Sequence, residues 1–294
     1  MKQDEIKIAY EIHGDMNNPI IVIVQGLGMP LTATPPEFVS QLMERGYCLL
    51  LLDNRDIGRS DKIQQKPPNI IFQVIKYKLG LRVKYFYKLD DMMNDINNLL
   101  VKLNIETAHI IGVSMGGMIA QLMAIHHPVK IKSLTSIMSS SGNPKLPGPS
   151  WKIAKFILKG SENKNINGSE SFYQQLWRLI GSPKYPMLDD EIDSFVKRIV
   201  DRGMTSGGSV RQILAIMKSY NRVPQLNKLN VPTLVIHGEE DKLVPIECGV
   251  DTADAIKMSE LWRIPGMGHD FPFELIDEFV NRISKHIQKA EMLP

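Results

Sequence analysis

The sequence has little cysteine: Cys48 and Cys248 are the two among its 294 residues. Two thiols cannot build a disulfide framework, and neither lies in a Cys-x-x-Cys pair of the kind that binds zinc or carries out redox chemistry. The scarcity of cysteine therefore excludes a disulfide-stapled scaffold and a cysteine-rich metal site. We expect both thiols to be reduced.

Charge of one sign is also lacking, because 35 lysines and arginines face 32 acidic residues and leave a formal net charge of +3. So small an excess gives no electrostatic reason to predict a nucleic-acid partner. No apolar run approaches the roughly 20 residues that a membrane-spanning helix needs. The first ten residues include Asp4 and Glu5, where a secretory signal would be apolar. These absences predict a cytoplasmic protein without stable membrane insertion.

Apolar residues make up 43% of the chain and charged residues 23%, which is the usual balance of a globular protein. Short apolar runs bounded by turn residues or charge predict buried strands over residues 20–24, 48–52, 109–113, 134–138 and 233–237. Segments with helical spacing lie between them, over residues 37–45, 90–103, 115–127 and 273–286. The alternation predicts a doubly wound, mostly parallel α/β sheet, whose ligands bind beyond the carboxyl ends of the strands.

The alternation stops near Gly142 and resumes near Val231. A loop rich in glycine and proline opens this interval, and four stretches with helical spacing follow it. We therefore predict a helical cap over residues 142–226, inserted before the last two strands into a core domain of residues 1–141 and 227–294. Three aromatic side chains of the cap favour a packing face over a substrate wall: Phe172, Tyr173 and Trp177.

Residues 62–88 contain seven basic side chains and no acidic one, interleaved with aromatic side chains. This pattern favours a second lid segment, whose apolar side closes over the site while its lysines face water. The alternative is an amphipathic element that makes peripheral contact with a membrane surface.

After the predicted strand at 109–113 the chain continues as a helix, through the sequence Gly112-Val113-Ser114-Met115-Gly116-Gly117. This Gly-x-Ser-x-Gly spacing is typical of a sharp strand-to-helix turn, in which the positions two before and two after the serine must lack side chains. The turn exposes the hydroxyl, and the helix behind it aims backbone NH groups at the same space. Ser114 is therefore the predicted nucleophile. The alternative, a serine that caps the helix, does not explain the flanking glycines.

A serine hydroxyl needs an adjacent base, normally a histidine held by a carboxylate. Asp241 follows the strand at 233–237, and His269 follows a short strand at 261–264 in a glycine-rich loop. The order serine, acid, histidine is typical of one fold. We predict a catalytic triad of Ser114, Asp241 and His269. The competing residues are Glu239, Glu240 and Asp251 for the acid, and His237 or another histidine for the base.

A metal site would have to rest on the adjacent pair His126 and His127 with scattered acids. Neighbouring side chains on a helix point about 100 degrees apart and make poor joint ligands. We predict neither a metal nor an organic cofactor.

These motifs and their order resemble the α/β-hydrolase superfamily, from a strand near Ile6 to a helix near Ile287. Three stretches are similar to its serine-esterase branch that contains aclacinomycin methylesterase: Val24-Gln25-Gly26-Leu27-Gly28, residues 52–60 and Ile264-Pro265-Gly266-Met267-Gly268-His269. The resemblance implies hydrolysis of carboxylic esters. Two departures affect substrate details: Gln25 stands where the family often has histidine before the glycine, and Asp56 stands at the first glycine of its Asp-x-Arg-Gly-x-Gly-x-Ser stretch.

The resemblance also suggests how the site works. Ser114 attacks the ester carbonyl, His269 takes its proton and Asp241 stabilises the imidazolium, while the backbone NH groups of Leu27 and Met115 hold the oxyanion. The candidates for the substrate pocket are Gln25, Gly26, Gly28, Met29, Met138 and Met267.

We therefore predict a serine hydrolase that cleaves carboxylic esters of small apolar substrates through an acyl-enzyme intermediate, with the ester and water as its partners. The same triad fits a thioesterase, a proline iminopeptidase or a carbon–carbon bond hydrolase. An aminopeptidase needs a carboxylate for the substrate ammonium, and the cap offers Glu162, Glu170 and Glu191. Outside catalysis, the alternative is a hydrolase-like receptor that binds a small ligand. The oligomeric state is not written in the sequence.

Overall fold

The computed structural model describes residues 6–160, 166–203 and 205–293, and its strands form one sheet. Across the sheet the strand order is β1-β3-β2-β4-β5-β6-β7, and neighbouring strands are parallel except β1 with β3. The prediction of a doubly wound, mostly parallel α/β sheet is confirmed. The strands are β1 (Tyr10–His13), β2 (Ile20–Val24), β3 (Cys48–Leu52), β4 (Ala108–Val113), β5 (Ile131–Ile137), β6 (Thr233–Gly238) and β7 (Ser259–Ile264).

Helices cover both faces of the sheet: α1 (Pro36–Glu44), α3 (Leu89–Lys102), α4 (Met115–His126), α10 (Ile246–Ala255) and α11 (Ile276–Glu291). A further helix, α2 (Ile70–Lys78), lies between β3 and α3 in the chain. Val22 and Leu50 belong to a buried cluster with side chains of α3 and α4, whereas Ile21 and Leu49 belong to one with α1 and α11. Because successive strand residues point to opposite faces, a strand buried on both faces needs an unbroken apolar run. This is why the sequence shows runs rather than alternation.

Several elements differ from the sequence-based prediction, and helix α2 was not among the predicted helices. Strand β1 is four residues long and partly exposed, so it has no buried run to mark it. Helix α10 was not expected, because small and acidic residues dominate its sequence. Helix α11 begins at Ile276 rather than at residue 273, since Phe273–Leu275 form a 3-10 turn after Pro272.

Among the residues that the structure describes, five helices lie between β5 and β6: α5 (Trp151–Gly160), α6 (Ile166–Ile180), α7 (Asp189–Gly203), α8 (Ser206–Lys218) and α9 (Val223–Leu226). Buried ion pairs join two of them to the loop after β3. Arg202 of α7 donates to Asp53 at 3.0 Å, and Arg211 of α8 donates two hydrogen bonds of 2.8 Å to Asp56. Asp56 has φ 76°, in the left-handed region that favours glycine. Asp56, which stands where the similar esterases have a glycine, therefore adopts a backbone conformation that glycine favours, and its carboxylate holds Arg211 of α8.

Candidate active site

Ser114 lies on a strained turn between β4 and α4, with φ 55° and ψ −119°. Close backbone contacts enforce this turn. A Cβ on Gly112 would lie 2.3 Å from the carbonyl oxygen of Gly116, and a Cβ on Gly116 would lie 2.0 Å from that of Val24. Any residue other than glycine at these two positions would push the turn away from the sheet. The hydroxyl of Ser114 is thereby held at the carboxyl end of β4.

The structure brings Ser114, His269 and Asp241 into one hydrogen-bonded chain. Nε2 of His269 lies 3.0 Å from Oγ of Ser114, and its Nδ1 lies 2.6 Å from Oδ2 of Asp241. The other carboxylate oxygen of Asp241 accepts the backbone NH groups of Leu243 at 2.9 Å and Val244 at 2.8 Å. The carboxylate is therefore fixed in place, and it orients the imidazole toward the serine.

The competing acids lie elsewhere. Glu239 pairs with Arg263 at 3.0 Å, and Glu240 is exposed. Asp251 accepts hydrogen bonds from Ser141 and from the side chain of Asn143.

Asp241 is ionised in spite of its burial. Removal from water opposes ionisation, but the charge of a protonated His269 and hydrogen bonds from His237 and His269 outweigh it, so the pKa of Asp241 lies below its usual value. Nε2 of His237 lies 2.7 Å from the carbonyl oxygen of Val244 and 3.5 Å from Oδ2 of Asp241. His237 thus supports the acid and has no contact with Ser114 in this arrangement.

A second buried carboxylate adjoins His269 on the cap side. Asp270 accepts the hydroxyl of Ser182 and, at 3.2 Å, the backbone NH of Ser182. The same hydroxyl accepts the NH of Gly268 at 2.9 Å, while the NH of His269 donates to the carbonyl oxygen of Ile180 at 2.8 Å. Burial raises the pKa of Asp270. These bonds tie the loop that carries His269 to the end of α6.

Sequence reasoning missed Asp270 and Ser182. They are 88 positions apart, so no motif connects them, and the one available signal is that a polar residue directly follows His269.

The loop after β2 runs beside the nucleophile, since a Cβ on Gly26 would lie 3.7 Å from Oγ of Ser114. The backbone NH groups of Leu27 and Met115 find no hydrogen-bond acceptor among the described residues. Met115 is the first residue of α4, where NH groups lack partners within the helix and the helix dipole is positive. Both donors are therefore free to bind an oxyanion.

A cavity of about 140 Å³ opens onto Ser114 and His269. Side chains from α5, α6, α7 and α8 form its roof and leave it mostly apolar. Four predicted pocket residues line it: Gln25, Gly26, Met29 and Met138. Phe172, Tyr173 and Trp177 line it as well, so the expectation that they form only a packing face is corrected. They also pack against one another and their neighbours, because the cavity lies inside the cluster they form.

Gly28 and Met267 do not line the cavity, which corrects the expectation for both. The NH of Gly28 donates to the side chain of Gln212 at 2.8 Å, and the hydroxyl of Ser209 fills the space that its Cβ would take. Met267 is fully buried in the cluster between the sheet and α11. Loop position placed these residues near the site, but their side of the loop faces away from it.

Polar groups in the cavity are few. Tyr173 and Ser209 are hydrogen-bonded to each other, and burial raises the pKa of Tyr173 to about 12. The side-chain NH₂ of Gln25 donates to Thr34 at 2.7 Å. Among the described residues that line the cavity, none is a lysine or an arginine. Asp270 is the one carboxylate of the described lining, and most of the other lining side chains are apolar.

No residue of 62–88, a segment that the structure describes throughout, lines the cavity. The expectation that this segment closes over the site is wrong. Ile70 and Val74 of α2 pack instead against Val210 and Leu214 of α8.

Two further searches cover the described residues alone. They contain no cluster of three or more histidine, cysteine, aspartate or glutamate side chains that could hold a metal ion. None of their helices is long and apolar enough to cross a membrane.

Comparisons with known proteins agree with this architecture. Rhodomycin D methylesterase DauP of Streptomyces sp. (strain C5) is 22% identical over 307 residues, which cover 98% of this chain and 97% of that protein. A 2-hydroxy-6-oxononadienedioate/2-hydroxy-6-oxononatrienedioate hydrolase of Paraburkholderia xenovorans (strain LB400) is 22% identical over 94% of this chain and 88% of its own length. The solved structure of the esterase EaEST from Exiguobacterium antarcticum is similar at a TM-score of 0.75, with 19% identity and 96% of each chain covered.

The family model of the alpha/beta hydrolase fold matches residues 19–274, which is most of the chain. This match confirms the resemblance that the serine, acid and histidine motifs predicted. The chain belongs to the α/β-hydrolase fold family.

Proposed function

We propose that the protein is a serine hydrolase that cleaves carboxylic esters of small apolar substrates through an acyl-enzyme intermediate. The observation that carries this proposal is the hydrogen-bonded chain from Ser114 through His269 to Asp241 at the mouth of an apolar cavity. A solvent-exposed serine with no base within reach would not support it.

The first half of the reaction forms the acyl-enzyme. Oγ of Ser114 attacks the ester carbonyl while Nε2 of His269 accepts its proton, and Asp241 stabilises the imidazolium. The NH groups of Leu27 and Met115 bind the oxyanion of the tetrahedral intermediate, each donor being worth about 3 kcal/mol in comparable sites. The intermediate collapses, and the alcohol leaves with the proton from His269.

Water completes the cycle. His269 takes a proton from the water that attacks the acyl-enzyme carbonyl, and it then returns that proton to Oγ of Ser114 as the carboxylic acid leaves. The proposed reaction uses neither a metal nor an organic cofactor in either half. We further propose that residues 142–226 act as the cap that gives the substrate its cavity.

The size and polarity of the cavity define the substrate class. Its volume of about 140 Å³ is close to that of an apolar cavity of about 150 Å³ that holds one benzene molecule. We therefore expect one short or ring-sized apolar part of the ester to be enclosed. Because no lysine or arginine of the described lining can pair with a carboxylate, dianionic substrates are disfavoured.

A proline iminopeptidase is also disfavoured. Its substrate ammonium would need an ionised carboxylate, and Asp270 is the one carboxylate of the described lining. Each of its oxygens already accepts a hydrogen bond from Ser182, and burial raises its pKa, which makes it a poor partner for an ammonium. Glu170 and Glu191 do not line the cavity, and Glu162 lies outside the described residues.

Hydrolysis of p-nitrophenyl butyrate by the purified protein tests the proposal. We expect Ser114→Ala to lower kcat by at least about 10³-fold, because no other group can form the acyl-enzyme. The exposed Ser40 provides the matched control, and Ser40→Ala should leave kcat unchanged. Full activity of Ser114→Ala would refute the mechanism. Silence of the intact wild type toward both the ester and a fluorophosphonate probe would favour a receptor.

A further inference from the structure

Helix α2 carries a stripe of large apolar side chains that the fold leaves uncovered. Ile71, Ile75 and Leu79 follow one another at intervals of four, so they lie along one side of the helix and its C-terminal turn. All three are exposed, Leu79 to 68%, and Phe72 beside them is 55% exposed. Exposed apolar side chains are ordinary when scattered, but a contiguous group of them marks a contact surface.

Helix α2 packs against the rest of the protein through a different side from the one that carries the stripe. Ile70 and Val74, on another side of the helix, pack against Val210 and Leu214 of α8. Helix α2 is therefore apolar on two sides, and the protein itself covers one of them.

Helix α5 extends the surface. Trp151 at its first turn is 71% exposed, and the ammonium of Lys78 lies 5.9 Å from the centroid of its ring. The ammonium of Lys76 lies 5.1 Å from the ring of Phe72. We call these exposed apolar residues the α2–α5 patch: Ile71, Phe72, Ile75, Leu79 and Trp151.

The two segments that form the patch carry charge of one sign. Residues 62–88 carry seven basic side chains and no acidic one, and residues 151–160 add three lysines and again no acid. The chain as a whole has a net charge of only +3, so the basic residues are concentrated here. Apolar side chains that protrude between lysines and arginines are the pattern of a helix that lies in a lipid–water interface.

We propose that the α2–α5 patch binds the surface of an anionic lipid bilayer. Its apolar side chains enter the boundary between headgroups and acyl chains, and the surrounding lysines and arginines pair with lipid phosphates. A second copy of the chain fits less well, because two patches of the same positive charge would face each other. Helix α5 also lines the cavity through Ile157, so the bilayer would lie against a helix that forms the cavity wall.

Sedimentation of the full chain with lipid vesicles tests the proposal. We expect binding to vesicles of phosphatidylcholine mixed with phosphatidylglycerol, weak or no binding to phosphatidylcholine alone, and release at high salt as screening removes the attraction. Trp177 is half-buried and Trp262 is buried, so a blue shift of tryptophan emission on binding should come from Trp151 and disappear in Trp151→Phe.

Substitutions in and beside the patch test separately the contribution of its apolar side chains and that of the lysines around them. We expect Phe72→Ser combined with Leu79→Ser to weaken binding at least about tenfold. The matched control is Val129→Ser with Met258→Ser, which removes exposed apolar side chains outside the patch and should keep binding intact. Lys76→Glu with Lys78→Glu should abolish selectivity for anionic vesicles, whereas Lys228→Glu with Lys257→Glu, at exposed sites elsewhere, should preserve it.

Several results would overturn the proposal. Failure of the protein to sediment with anionic vesicles, equally strong binding to neutral vesicles, or full binding when the patch is substituted would contradict it. A concentration-dependent dimer in solution that the patch variants abolish would also contradict it. The last result would assign the surface to a second copy of the chain. Circular dichroism and thermal melts of each variant establish that it is folded before its binding is compared.

Discussion

His269 is held from two sides, and the two sides differ in chemistry. On the core side, Asp241 receives hydrogen bonds from His269 and from two backbone NH groups, and its pKa is lowered. On the cap side, Asp270 receives its hydrogen bonds from Ser182, and burial raises its pKa.

The comparison shows that burial alone does not decide what a carboxylate does. Both groups lose water and both lie near His269, but Asp241 is hydrogen-bonded to its ring, whereas Asp270 is hydrogen-bonded to a neutral hydroxyl and an amide. Asp241 is therefore suited to stabilise an imidazolium, and Asp270 to fix the position of the loop that carries the imidazole.

The largest expected effect belongs to the core side. In Asp241→Asn the side-chain oxygen can still accept the backbone NH groups, but the NH₂ group then faces Nδ1 of His269 and favours the wrong tautomer. We expect kcat for p-nitrophenyl butyrate to fall by about 10⁴-fold. Glu239→Gln is the matched control and should retain wild-type kcat, because Glu239 pairs with Arg263 instead. Comparable rates for the two variants would remove Asp241 from the mechanism.

A smaller loss of activity is expected on the cap side. Ser182→Ala removes the hydroxyl that joins Asp270 to the NH of Gly268 and leaves buried polar groups unpaired, at a cost of about 1–3 kcal/mol in the free energy of unfolding. Because the His269 loop loses its tie to α6, kcat should fall about tenfold while KM changes little. An unfolding titration and steady-state kinetics check both numbers. Unchanged kcat in a destabilised variant would show that the contact serves stability alone.

The pH dependence of stability separates the two carboxylates further. The folded-state pKa of Asp270 is raised, so its contribution to stability is complete below the unfolded value near 3.9 and is lost as the pH rises through the folded value. Asp241, with a lowered pKa, contributes above about 3.9 and loses this as the pH falls through its folded value. We therefore expect urea unfolding to show that the free energy of unfolding of the wild type falls relative to that of Asp270→Asn as the pH rises from about 4 to neutral. A difference independent of pH would contradict this assignment.

The smallest expected effect lies in the cavity roof. Tyr173→Phe removes a hydroxyl that already has a protein partner in Ser209, so it should change kcat/KM for p-nitrophenyl butyrate by less than about threefold. A loss of about 100-fold would mean that this hydroxyl touches the reacting ester. Kinetics with acetate, butyrate and longer esters would then show which part of the substrate it binds.

The same contrast explains what the sequence could predict. Ser114 can be predicted from the local sequence, because its turn requires glycine at positions 112 and 116. Close backbone contacts in the fold explain both glycines. Buried strands are equally visible as apolar runs. The serine, acid and histidine order then gave the fold family, which the family match confirms.

The cap side could not be predicted in the same way. Ser182 meets Asp270 only because α6 ends beside the His269 loop, and no local pattern encodes that meeting. Helical spacing showed that Phe172, Tyr173 and Trp177 share an apolar face but not that a cavity lies inside it. Composition singled out residues 62–88, yet contact with α8 placed them away from the site.

The most direct test of the central claim is the mass of the protein trapped during turnover. Acid quenching within the first turnovers of p-nitrophenyl butyrate should yield protein heavier by one butyryl group, and peptide mapping should place that group on Ser114. Ester hydrolysis that proceeds without any adduct on Ser114, or with the adduct on another residue, would contradict the account.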